Sequence, residues 1–261
     1  MKRHAITFDS RKFIDLSNLS LEIVNKLLTD SLDGKYQEMN DQTLYLLDIA
    51  PFKVSPYKTI IIQNCGRLFK SAISSKTLLK DYANYFEANH QETIKVANHL
   101  GFYQKIPVII GNKAIMPSDG YSKKNVSWLV LNQVRHTKYC SSENTIHFYG
   151  HHSVGLAISM AKNAFEEQLS RAAQLVQTKI TLHSSVMRQY NLVVHRVPLF
   201  QRNILADRID KQSFTQPNFT AEEINSEVLK DNMLDIARDC FEEGDPYLDD
   251  FIDKLDEHFD D

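Results

Sequence analysis

Gly111-Asn112, set between the apolar runs Val108-Ile109-Ile110 and Ala114-Ile115-Met116, constrains this chain more than any other feature. A two-residue Gly-Asn link accepts the positive φ angles of a tight hairpin, so the two runs are expected to pair as antiparallel strands. Pro117 has no N–H to give to a ladder and should end the second strand. Asp119-Gly120 then predicts a turn, and Ser122-Lys123-Lys124-Asn125 an exposed basic loop that carries an amide. From Val126 the chain re-enters a strand, with Val126, Trp128, Val130 and Val134 at period two and Leu129 and Leu131 on the opposite face. Apolar residues on both faces place such a strand in the middle of a sheet. A rigid sheet with a basic loop between its strands is suited to holding an anionic partner.

Over 261 residues, 43% are hydrophobic, enough for a real core, and 8 Gly with 7 Pro exclude a collagen-like or low-complexity chain. No apolar run approaches the ~20 residues that span a bilayer, so no membrane association is expected. The start, MKRHAITFDSRK, has no apolar segment of the secretory kind. Cys65, Cys140 and Cys240 are an odd number without CxxC spacing, which predicts reduced cytosolic thiols. The overall charge of −3 conceals a strong asymmetry. Residues 213–261 hold Lys230, Arg238 and Lys254 against 16 Asp and Glu, a net of −13, which leaves +10 on residues 1–212. A basic body beside an acidic tail suggests a polyanion-binding core, with a tail that shields it, meets another partner or merely solubilises.

Leu21, Val24, Leu28 and Leu32 predict a helix capped by Ser20 and ended by Gly34, packed on the sheet or, less simply, forming a dimerisation surface. Thr43–Ala50 and Thr59–Gln63 read as strands; Leu78, Tyr82 and Phe86 favour a short helix, and Glu92–Ala97 fits helix or strand equally. Thr145–Tyr149 and Val154–Ser159 read as strands on either side of Gly150-His151-His152. The period then changes to 3.6, with Phe165, Leu169, Ala172 and Val176 on one face and Asn163 and Glu166 in cap-and-N3 relation. Pro198 is placed to open a last basic helix that carries Arg202, Arg208 and Lys211. In the tail, Thr220 and Glu223 form a capping-box pattern before the stripe Leu229, Met233, Ile236 and Cys240, ended by Gly244. Asp245-Pro246 starts another helix with Leu248, Phe251, Leu255 and Phe259 on one side. Each tail helix has a face to bury, against the body or a partner. The expected class is α+β: a mostly antiparallel sheet core with flanking helices and an acidic helical tail. The expected divisions are an N-terminal helical extension over 1–40, a β-rich core over 41–183, a basic helical segment over 184–212 and the tail over 213–261.

No GxGxxG, P-loop, GxSxG or HExxH motif is present, and no carboxylate pair suggests acid and base roles, so no catalysis and no cofactor are expected. His147, His151 and His152, with Cys140 nearby, could converge on a metal only without any recognised ligand spacing; turn and surface histidines are the plainer reading. Cys65 beside Arg67 could be a reactive thiol, although a buried structural cysteine is the commoner case. The excess cations of the body suit a phosphate-tracking surface. Chemistry points to Arg67, Lys70 and Lys76 after the cysteine, to Lys123, Lys124 and Asn125 in the loop, and to Arg135 and Lys138 beyond the long strand as DNA-binding residues. Two other classes stay open: a protein-interaction or regulatory protein acting through its acidic helices, and an enzyme using His147, His151, His152 or Cys140.

Three segments in order and spacing carry a resemblance: Asn64–Ser75 with its Cys, Arg, aromatic and Ser residues; IPVIIGNKAIMPS followed by NVSWLV; and SMAKNAFEEQLSRAAQL at 159–175. Across residues 43–183, about half of the chain, it resembles the bacterial competence transcription factor family, ComK. The resemblance implies a cytoplasmic, nucleoid-associated activator that binds AT-rich promoter boxes through the minor groove as paired dimers. It also implies stimulated transcription of DNA-uptake and recombination genes, with RNA polymerase as a further partner. Related proteins are delivered to a Clp protease by an adaptor, but the FMLYP-type segment associated with that contact is absent here, and residues 213–261 are an addition to the family pattern.

Overall fold

The computed structural model describes residues 12–33, 38–118, 126–152, 154–192, 202–241 and 246–260. In chain order these form β1 (Lys12–Asp15), α1 (Leu21–Thr29), β2 (Leu32–Asp33), β3 (Thr43–Asp48), β4 (Thr59–Gln63), β5 (Leu68–Ser71), α2 (Ser75–Tyr85) and α3 (His90–His99). There follow β6 (Val108–Ile110), β7 (Lys113–Pro117), β8 (Trp128–Val130), β9 (Val134–Cys140), β10 (Thr145–Gly150), β11 (Val154–Ser159), α4 (Lys162–Gln189), α5 (Ile204–Lys211), α6 (Ala221–Cys240) and α7 (Pro246–Asp260). The class is α+β with mostly antiparallel strands. A seven-stranded sheet runs β2-β5-β4-β3-β8-β7-β6 and a four-stranded sheet runs β1-β11-β10-β9. The parallel pairs are β2 with β5 and β1 with β11.

The hairpin forms as the Gly-Asn link dictates: Val108 faces Ile115 across it, and Gly111 adopts φ +57°, which a side chain would resist. β7 ends at Pro117 and β8 lies inside the large sheet between β3 and β7. The large sheet is buried on both faces. One face sends Leu46, Ile61, Ile115, Trp128 and Val130 into a core under α2, where Leu78, Leu79 and Tyr82 meet them. The other sends Leu47, Ile60, Ile62 and Leu129 into the main core, shared with the inner face of the small sheet and with Phe165, Leu169, Ala172 and Val176 of α4. The layers are therefore α2, large sheet, then small sheet with α4, which is why every residue of β3 and β4 is buried.

The strand expected from Val126 through Val134 is broken. β8 stops at Val130, a 3₁₀ turn over Leu131–Gln133 follows, and Val134 opens β9 in the other sheet. Asn132 makes the break tolerable, because its Oδ1 accepts the Ala114 N–H at 2.8 Å and its Nδ2 donates to the Asn112 carbonyl at 2.9 Å. The side chain thus satisfies ladder groups that the departing backbone leaves behind.

Ser20 caps α1 as expected, and Val24 and Leu27 pack into the main core, but Leu21 and Leu32 are exposed and Leu32 lies on β2. The segment over Glu92–Ala97 is helical, capped by Asn89. α4 begins after Ala161, which makes no side-chain cap, so Asn163 is already inside the helix; α4 then runs without a break past residue 183 to Gln189. α5 is capped by Asn203, while Gly34, Pro198 and Gly244 lie outside the described residues. The capping box of Thr220 and Glu223 is present.

The predicted stripe on α6 is not the docked one. Leu229, Ile236 and Cys240 are exposed, whereas Ile224, Val228 and Ala237 are buried. The docked face also carries Glu227 and Asp231, because Lys95 on α3 reaches Asp231 at 2.7 Å and His99 reaches Glu227 at 2.6 Å. A face that mixes apolar residues with paired carboxylates hides from a purely apolar periodicity. With Phe219 and Ile224 in the main core, the start of the acidic tail packs on the body.

Candidate nucleic-acid interface

Four turns meet at the end of the large sheet where β3 begins. Asn64, buried in the β4–β5 turn, donates its amide to the Gln133 carbonyl at 3.3 Å and to Gln133 Oε1, and its Oδ1 accepts the His151 N–H at 3.0 Å. Gln133 donates to the Asp41 carbonyl at 2.7 Å, and His151 Nε2 lies 3.3 Å from the Asn132 carbonyl. Burial, helped by the nearby Arg135 and His152 charges, outweighs this carbonyl and holds the His151 imidazole below its usual pKa. This web of amides fixes the β4–β5 turn, the 3₁₀ turn, the β10–β11 turn and the hairpin tip relative to one another.

Two of the predicted cations project from this junction. Arg67 leaves the β4–β5 turn exposed, and Arg135 leaves the start of β9 exposed. Arg135 also borders a cleft of about 460 Å³ between β9, α4 and α5, together with His136, Arg208 and Lys211. Arg208 is held there by Glu166 and by Ser170 Oγ at 3.0 Å. Arg208 and Lys211 were visible in the sequence only as members of a basic segment; nothing in their spacing told of Arg135 across the fold. Lys138 is exposed further along β9, opposite His147.

The other predicted residues lie elsewhere. Lys76 lies in the first turn of α2 near Asp48, at the far end of β3, about 17 Å along a six-residue strand. Ser75 Oγ donates to the Val126 carbonyl at 2.6 Å and lies 3.0 Å from Asp48 Oδ2, sharing its single proton between them, and burial pushes the Asp48 carboxyl above its usual value. Ser118 and Val126, which bracket the predicted basic loop, are at this same end; Lys123, Lys124 and Asn125 themselves lie outside the described residues. Lys70 is already engaged, 3.2 Å from Asp33 and with its ammonium 5.0 Å over the Tyr57 ring. The structure thus brings Arg67 and Arg135 to one end of the large sheet and sets Lys70 and Lys76 towards the other.

The histidines weighed as metal ligands point apart: His147 packs edge-on to Phe13 on the small sheet, while His151 turns into the amide web. Among the described residues, no group of three or more His, Cys, Asp or Glu is placed to hold a metal ion. Cys65 is exposed, not buried. Among those residues, too, no helix is long and apolar enough to cross a membrane.

The family model described as ComK protein matches residues 34–183. The chain belongs to the ComK family. The match takes in β3 to β11 and most of α4, which include both ends of the large sheet and the amide web. No curated protein and no solved structure matches the chain. The ComK family is one of competence transcription factors, so the cations around the amide web belong to a fold whose family acts in transcription.

Proposed function

We propose that this ComK-family protein is a transcriptional activator of DNA-uptake genes that binds AT-rich promoter boxes in duplex DNA, without catalysis. The observation that carries the reading is the family match across 34–183. In this reading the exposed Arg67 and Arg135 contact phosphates and set the register of the protein on the duplex. The basic loop of Lys123, Lys124 and Asn125, launched from the other end of the same sheet, reaches into a minor groove whose width and deformability report AT content. Lys76 sits beside the root of that loop, and Lys138 extends the cationic line along β9. The protein works in the bacterial cytoplasm on the nucleoid, as a homodimer or higher oligomer, and hands its signal to RNA polymerase.

Gel-shift titrations with AT-rich and GC-rich duplexes of equal length at two salt concentrations test this. The AT-rich duplex should bind more tightly at both. Equal affinity for the two, or no duplex binding at all, would refute the reading.

A further inference from the structure

The small sheet buries one face and shows the other. Ile14, Ile146, Phe148, Leu156 and Ile158 point into the main core. Strand register puts a different set outside: Phe13 opposite Gly155, Gly155 opposite Tyr149, Tyr149 opposite His136, and His147 opposite Lys138. Residues paired across adjacent strands share a face. Phe13, His136, His147 and Tyr149 therefore form one ring cluster, with Lys138 at its β9 side.

The rings are close, with Phe13 and His136 exposed and His147 and Tyr149 half-buried between them. Phe13 lies 5.1 Å from His147 and 6.5 Å from Tyr149, and Tyr149 lies 5.9 Å from His136, measured between centroids. Phe13 remains 42% exposed. The floor beneath is small: a Cβ at Gly155 would come within 2.5 Å of Phe13 Cδ2 and 3.0 Å of its Cε2. Only glycine lets the phenyl ring settle that close to the backbone.

We propose that this outer face is a stacking platform for the unpaired bases of single-stranded nucleic acid, whose rings take no part in the duplex contact although Lys138 serves both. Aromatic faces stack on any base, and a lysine beside them meets the backbone phosphate. Base stacking excludes a duplex as the occupant. Bases in B-DNA are stacked on one another about 3.4 Å apart and present no free face, so bases seated on these rings must come from an unpaired, splayed strand. A protein partner would also welcome the aromatic rings, but lysine is depleted from such interfaces and the floor of glycine and alanine offers little apolar bulk for one to bury. Asp15, the carboxylate that shares this face at its β1 edge, is tied to Ser17, whose N–H donates to Asp15 Oδ1 at 2.9 Å and whose hydroxyl donates at 2.6 Å.

Fluorescence anisotropy with the full chain tests the platform. Its probes are a labelled oligothymidylate of about 12 nucleotides, an abasic strand of equal length and charge, an oligouridylate, and an AT-rich duplex. The oligothymidylate should bind well above the abasic strand. Phe13→Ala and Tyr149→Ala should each weaken it by about fivefold to a hundredfold, the cost of one lost stacked base. Phe13→Leu keeps apolar bulk and should lose binding as the alanine variant does, whereas Phe13→Tyr keeps the ring and should retain it. Oligouridylate binding as tight as oligothymidylate marks the ligand as either nucleic acid; weaker binding marks it as DNA, and both support stacking. Equal binding of abasic and thymidylate strands, or a Phe13→Leu protein that binds like the parent, overturns the proposal. Duplex affinity should be unchanged by Phe13→Ala; its loss in parallel would show that the two activities are one.

Discussion

Ile224 and Ile236 occupy the same helix, are the same residue, and should respond to the same substitution to very different degrees. Ile224 is 1% exposed at the contact between α6 and the body; Ile236 is 63% exposed. Replacing a buried isoleucine by alanine costs about 2–5 kcal/mol, and the lower half of that range applies where one helix face can settle into the space left. We expect about 2–3 kcal/mol for Ile224→Ala. In a domain of this size each kcal/mol moves Tm by roughly 2–4 °C, so the shift should be roughly 4–12 °C. Ile236→Ala should stay within about 0.5 kcal/mol. The gain in helix propensity is common to both variants and cancels between them. Thermal melts followed by circular dichroism, with urea titrations alongside, give both numbers. Equal shifts, or a larger one for Ile236→Ala, would mean that α6 docks through the Leu229–Cys240 stripe, and the placement of the tail would be wrong.

Other outcomes follow from single sites. Burial, then the neighbouring Lys179 charge, holds the His90 imidazole down to about 4. The unfolded chain takes up its proton near pH 6.5 and the folded one resists, so stability should fall as pH drops from about 6.5 to about 4, by at most roughly 3 kcal/mol. His90→Gln should remove that part of the slope in urea titrations across this window, and an unaltered slope would clear His90. Arg67→Ala combined with Arg135→Ala should flatten the dependence of log K on log salt by about 1.8 if each meets one phosphate. An unchanged slope would take this end of the sheet out of the DNA contact. Neutralising Lys123 and Lys124 together should weaken binding to all duplexes and lower the same slope, which the same titration reads.

Much of the layer structure was legible because turn chemistry and period two are local signals. Gly111-Asn112 fixed one hairpin, and the Gly150–His152 turn fixed the strands on either side of it. What escaped was set by distant partners. The 3₁₀ turn after Val130 depends on Asn132 bonding back to the hairpin, and an asparagine in a β-like run does not announce that. The docked face of α6 depends on Lys95 and His99, more than a hundred residues earlier. Within the candidate site, exposed arginines could be picked out as residue types, yet the company of Arg135 with Arg208 and Lys211 arises only when α5 closes on β9. Lys70 looked available because Asp33 and Tyr57, its partners, are remote in sequence.

β1 is born long before its neighbour. Phe13 pairs with Gly155, and at a synthesis rate of roughly 5–20 residues per second the intervening stretch of about 140 residues takes somewhere near 7–30 s to emerge. During that interval the nascent chain carries an orphaned strand with an aromatic at its centre, which the cell must keep from sticking to other chains. Closure of the small sheet is thus a late event in biogenesis, and a ribosome stalled before residue 154 would hold a protein whose first strand has nowhere to go.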